Sequence, residues 1–214
     1  SVEPGDRSDE AMKTVKEIMA FVRDTIYWSL AGGIVYQLFL CLLTALMVLG
    51  VYGYVIQFNL GLSATNMSNI VSWGFYISNF TFLVGVAAAA VMIILPSYIF
   101  KDKDLHKVVI IGEVVAIGAL VMCLMFVFVD LGGPLQAWHM IPVIGLFNWP
   151  TSLLTWDVLV LNGYLVLHLM VPAYILYCHY HHRQPVARIY LPFVFLSIFW
   201  VFGIHLVTAF LYQG

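Results

Sequence analysis

TIYWSLAGGIVYQLFLCLLTALMVLGVYGYVIQFNLGLSATNMSNIVSWGFYISNFTFLVGVAAAAVMIILPSYIF, running from Thr25 to Phe100, contains no Asp, Glu, Lys or Arg. As one helix these 76 residues would extend about 114 Å at 1.5 Å per residue, against a hydrocarbon core of about 30 Å. The segment therefore crosses a bilayer and returns. The rest of the 214-residue chain agrees: 63% of it is hydrophobic and 9% charged, against about 25% charged in a soluble domain. Nine basic and eleven acidic residues give a net charge of −2, so no basic surface for nucleic acid is available.

Extended outward, the same criterion predicts five membrane helices: Gly33–Ile56, Ile70–Phe100, Val108–Leu131, Thr155–Cys178 and Ile189–Tyr212. None of these runs alternates with period two, so barrel strands are excluded, and a helix satisfies its own backbone in lipid. The fold class expected is an all-α polytopic bundle. Pro96 is expected to end or bend the second span, and Pro172 and Pro192 fall in the fourth span and the first turn of the fifth.

Positive charge sets the orientation, because Lys and Arg gather on the cytoplasmic side. Arg7, Lys13, Lys16 and Arg23 precede span one; Lys101, Lys103 and Lys107 join spans two and three; Arg183 and Arg188 join spans four and five. The loops near 57–69 and 132–154 have none. The N-terminus is thus expected in the cytoplasm and the C-terminus outside. Met12, Val15, Met19, Val22 and Ile26 recur at helical spacing among charged residues, which predicts an amphipathic surface helix. The expected organisation is a cytoplasmic segment, 1–28, and a transmembrane bundle, 29–214. Ser1–Asp24 lacks the short apolar core of a secretory signal.

Eight of the eleven carboxylates fall in the cytoplasmic segments, which leaves Glu113, Asp130 and Asp157. A charge near the bilayer centre costs several kcal/mol unless it is paired or hydrated. Asp130 closes span three and Asp157 opens span four, both at the outer side, with His139 in the loop between them. They can face one outer pocket; equally, Asp130 can cap a loop and Asp157 can favour a helix N-terminus. Asp157, Tyr164 and His168 are seven and four residues apart, within about 20° of one face and over roughly 16 Å. With Glu113 farther in, they form a candidate proton ladder, or else neutral contacts between helices.

Ser72, Tyr76 and Asn79 make a polar face in the outer part of span two, and His205 lies in the outer half of span five. A quinone headgroup, whose carbonyls become hydroxyls on reduction, needs such donors, a protonatable group and apolar walls. Haem is not expected: His168 and His205 lie about 16 Å and 25 Å from their cytoplasmic helix ends, too unequal for two axial ligands. Cys41, Cys123 and Cys178 form no C-x-x-C, and Cys178-His179-Tyr180-His181-His182 sits at an ordinary helix end. No metal, haem or iron–sulfur cluster is expected in this chain.

Four stretches together carry a family resemblance. They are Trp73-Gly74-Phe75-Tyr76 with Asn79 to Gly85, Val129-Asp130-Leu131-Gly132-x-Pro134, Trp156-Asp157 through Leu161-Asn162-Gly163-Tyr164, and His205-x-Val207-Thr208-Ala209-Phe210. The chain resembles the NrfD/PsrC family of membrane subunits and, within it, the DsrP and HmeB type. The resemblance implies a quinone-binding subunit, with menaquinone as substrate, in a respiratory complex of a prokaryotic cytoplasmic membrane. It also implies an iron–sulfur, ferredoxin-like partner on the outer face, other membrane or cytochrome subunits, and an outer quinone pocket at Asp130, His139 and Asp157. Gly133 stands where the family often has Arg, so any contact made by that Arg is missing or supplied elsewhere. Family members continue into further helices beyond the His205 motif, so the chain is expected to be a fragment of a longer protein or to have its other half supplied by another chain. A structural anchor and a secondary transporter using Asp157 and His168 are the competing functions.

The alternation of charge predicts that cysteines introduced at Ser63 and Gln136 react with a membrane-impermeant thiol reagent added outside, whereas one at Asp102 does not. The reverse labelling would invert the orientation.

Overall fold

The computed structural model describes residues 4–68, 70, 73–141 apart from 101 and 102, and 144–213; Ser72 lies outside the described residues. Six helices follow in order: α1 (Pro4–Leu30), α2 (Ile34–Leu60), α3 (Phe75–Phe100), α4 (Lys103–Asp130), α5 (Leu153–Tyr180) and α6 (Ala187–Leu211). Short 3₁₀ turns occupy Leu62–Thr65 and Pro134–Met140. Helices α2, α4, α5 and α6 are each long and apolar enough to cross a membrane. Helix α3, with 26 residues and no charged side chain, is about 39 Å long at 1.5 Å per residue. It begins at Phe75, later than Ile70, because the chain is not helical at Trp73-Gly74; the Gly74 carbonyl accepts the first bond, from Ser78 N at 3.2 Å. The helix also continues past Pro96 to Phe100.

The chain divides into two compact units, 1–56 and 57–214. In the first, α1 stops at Leu30 before Ala31-Gly32-Gly33. The last carbonyls of a helix lack intrahelical donors, and here the next helix supplies them. Tyr36 OH donates to Ser29 O at 2.7 Å, and Gln37 Nε2 donates to Leu30 O at 2.7 Å. A Cβ on Gly32 would lie 2.3 Å from the Tyr36 ring, so this cap needs glycine there. On α1, Val15, Met19, Val22 and Ile26 are all exposed.

The second unit is a ring of four helices. α3 packs against α4 and α6, and α5 packs against the same two neighbours. Phe80, Leu120, Leu161, Tyr164 and Ile204 fill the core toward the Asp130 end, while Val109, Ala116, Val171, Ile175 and Val194 form a smaller cluster toward the other. On α5 the buried positions Asp157, Leu161, Tyr164, His168, Val171, Ile175 and Cys178 recur at three and four, one face of a 3.6-residue helix. The outward positions are apolar too: Phe82, Ile111, Phe199 and Phe202 are all more than 60% exposed. Carboxylate and imidazole inside with Phe outside is the reverse of a water-soluble bundle and suits a hydrocarbon surround.

α5 and α6 approach closely at Gly163, where an added Cβ would lie 2.2 Å from the Trp200 ring. The same indole donates from Nε1 to Val160 O at 2.7 Å, which holds the ring over the glycine. Gly163→Ala should therefore force a shift costing about 1–3 kcal/mol and lower the thermal midpoint in detergent. Gly85→Ala, whose Cβ would meet nothing within 4 Å, should not lower it.

Candidate functional site

Asp157 sits in the first turns of α5 and has no exposed surface. The segment leading into it is fixed by indoles. Trp156 Nε1 donates to Pro150 O at 2.8 Å, and its ring lies 3.6 Å from that of Trp149. Neither carboxylate oxygen of Asp157 has a hydrogen-bond partner among the described residues. Burying such a group without a partner costs several kcal/mol.

Asp130, the last residue of α4, is half-buried and lines a cavity of about 210 Å³ with Trp73, Ile77, Phe80, Leu154 and Leu211. Its Oδ1 also lacks a partner among the described residues. Leu154 precedes Asp157 by three residues on α5 and reaches this cavity, so the two acids flank one end of the bundle. His139 lies in the 3₁₀ turn after α4, its ring 4.0 Å from that of Trp138. No described hydrogen bond joins it to either acid.

Deeper in the bundle, His168 Nδ1 contacts Glu113 Oε2, joining α5 to α4 with both side chains buried. The Tyr164 ring meets the His168 ring edge-on at 4.2 Å. Tyr164 OH, His168 Nε2 and Thr208 Oγ1 are buried without partners among the described residues. Asp157, Tyr164, His168 and Glu113 therefore share the bundle interior, and Thr208 of α6 adds a further hydroxyl there.

The polar residues of α3 and α6 do not converge. Tyr76 OH donates to Gln57 Oε1 at 2.6 Å, and Gln57 Nε2 donates to Val129 O at 2.7 Å. Asn79 Nδ2 donates to Phe75 O of its own helix at 2.8 Å. His205 faces a separate groove between α3 and α6.

Sequence reading missed two residues at the Asp130 end. Gln57 satisfies one of the last carbonyls of α4; its only sequence signal is an amide closing a long apolar run. Tyr212 packs 4.8 Å from Trp73, and its hydroxyl contacts Thr81 Oγ1. No signal in the sequence marks this contact, since it exists only once α6 packs on α3. Among the described residues, no three His, Cys, Asp or Glu side chains gather as a metal site.

These features define a polytopic helical membrane protein with two carboxylates, Glu113 and Asp157, buried within the bundle. The chain belongs to the NrfD family: the family model described as polysulphide reductase, NrfD, matches residues 63–213. It is 25% identical over 137 residues to a subunit of the selenate reductase of Mesobacillus selenatarsenatis, covering 64% of this chain and 30% of that protein. It is 23% identical over 172 residues to the Hdr-like menaquinol oxidoreductase integral membrane subunit of Archaeoglobus fulgidus, covering 80% and 40%. The chain thus spans less than half the length of these curated relatives. No solved structure matches it significantly.

The Glu113–His168 contact carries its own expectation. Removing one partner of a buried pair costs about 3 kcal/mol or more, whereas replacing both with apolar groups is near neutral. Glu113→Leu and His168→Leu should each lower the thermal midpoint in detergent more than the double variant does. Additive losses would show that the two side chains are not coupled.

Proposed function

We propose that this chain is the quinone-interacting part of an integral membrane subunit in a respiratory oxidoreductase complex of a prokaryotic cytoplasmic membrane. The observation that carries this reading is Asp157: a carboxyl buried inside the bundle, with both oxygens unpartnered among the described residues, one turn along α5 from Leu154, which lines the same cavity as Asp130. Membership of the NrfD family supports the same reading. The name of the Archaeoglobus relative supports menaquinol as the substrate class.

Oxidation of a quinol to a quinone releases two electrons and two protons. In this proposal the headgroup enters the outer cavity, its ring against the apolar walls of Ile77, Phe80 and Leu154. Asp157 accepts a hydroxyl proton, and a carboxyl held in an apolar interior suits such a transfer. Asp130 and His139, at the same end, pass protons outward. The reverse step, quinone reduction, uses the same groups as donors. Electrons leave to, or arrive from, an iron–sulfur partner docked on the outer face, and the chain itself holds no redox centre.

A proton route inward runs from Asp157 past Thr208 and Tyr164 to the His168–Glu113 contact. About 10 Å of rise separates Asp157 from Tyr164, so this route requires ordered water between them. The N-terminal amphipathic segment, 1–28, anchors the cytoplasmic side in this reading, and 29–214 forms the membrane part of the subunit. Tyr76 and Asn79 shape the outer end of α3 in this reading. Ser72 belongs to the same proposed face but lies outside the described residues.

Asp157→Asn keeps shape and removes the protonatable group. In the intact complex it should preserve assembly and lower quinol turnover by about 10²-fold or more; wild-type turnover would favour an anchor instead. In sealed vesicles of the same complex, His168→Leu should lower protons moved per turnover while electron transfer from quinol continues. An unchanged ratio would remove the inward route.

A further inference from the structure

Away from the acids, a groove of about 540 Å³ runs between α3 and α6, and His205 is its polar residue. Its α3 wall is made of Gly85, Ala88, Ala89 and Val91, and its α6 wall includes Ile198, Val201 and Phe202. Gly85, Ala88 and Ala89 recur at three and four, so they form one shallow face. The groove is apolar, faces outward, and includes no residue of α4 or α5, unlike the cavity at Asp130.

The hydrogen bonding of His205 decides what the groove can bind. Nδ1 lies 2.8 Å from the carbonyl oxygen of Val201. A carbonyl only accepts, so Nδ1 carries the hydrogen, and the neutral ring then has its lone pair on Nε2. No described residue donates to Nε2. The groove therefore offers a single acceptor among apolar walls and is complementary to a hydroxyl donor. A quinol has that hydroxyl; a quinone presents a carbonyl, which would set one acceptor against another.

Depth favours a quinol over a phospholipid. His205 is six residues before the last residue of α6, about 9 Å below the helix end, and the groove continues to Ile198, about 20 Å down. A charged lipid headgroup does not descend into hydrocarbon. A small uncharged headgroup on an isoprenoid tail does, and the tail fits along Val201, Ile198 and Val91.

We infer that the groove between α3 and α6 is a second quinol site, separate from the Asp157 pocket, in which His205 Nε2 accepts a quinol hydroxyl and so selects the reduced form. The inference rests on the proposed quinone role of the chain.

The test uses the intact complex in lipid nanodiscs and a menaquinone analogue with a diazirine on its isoprenoid tail, supplied reduced or oxidised. Labelled peptides are mapped by mass spectrometry. The reduced probe should label α3 near 85–91 and α6 near 198–205 about tenfold more than the oxidised probe, the ratio expected for one hydrogen bond. His205→Leu should bring both forms to the same level. Gly85→Leu, which an open position accommodates, should block both, whereas Asp157→Asn should leave labelling of the groove in place. Equal labelling by the two forms, displacement by excess phospholipid, or a groove that is unlabelled because another helix covers it would overturn the inference. If labelling falls only around the Asp130 cavity, the groove inference fails and the quinone role stands. No specific labelling anywhere, together with full turnover in Asp157→Asn, would overturn both.

Discussion

A helix in hydrocarbon must satisfy its own backbone and turn apolar side chains outward, and every other feature of this chain follows from that constraint. The bundle formed by α3 to α6 gives its surface to Phe82, Phe199 and Phe202 and its interior to Asp157, His168 and Glu113. Polar groups inside such a bundle have few possible partners. Those that find one tie helices together, as Glu113 does with His168 across α4 and α5. Those that do not, Asp157 above all, are the groups on which the proposed proton chemistry rests.

The same constraint explains how helix ends are finished. The last carbonyls of α1 are taken by Tyr36 and Gln37 of the following helix, and a carbonyl near the end of α4 is taken by Gln57. These side chains are capping groups supplied by other parts of the chain. A sequence scan reads them as isolated polar residues at the edge of an apolar run.

The presence and type of the membrane helices were legible because absence of charge over twenty or more residues is a strong signal. The shared face of Asp157, Tyr164 and His168 was legible for a similar reason, since it depends only on the period of one helix. What was not legible was how helices rotate against one another. Tyr76, Asn79 and His205 looked like one polar set, yet Tyr76 turns to Gln57, Asn79 bonds its own helix, and His205 opens to a different groove. Tyr212 was missed because its contacts with Trp73 and Thr81 come from the far end of the chain. The start of α3 was misplaced because apolar composition continues through the non-helical Trp73-Gly74.

The Glu113–His168 contact also constrains how the protein is made. The two residues are 55 apart in sequence, and at about 5–20 residues per second the ribosome needs roughly 3–11 s to deliver the second after the first. During that interval α4 carries a carboxyl whose partner does not yet exist, and in lipid that group is costly. Helix α4 is therefore expected to wait beside the insertion machinery, or at its aqueous edge, until α5 arrives. The two helices then enter as a pair, so membrane insertion has the α4–α5 hairpin as its unit.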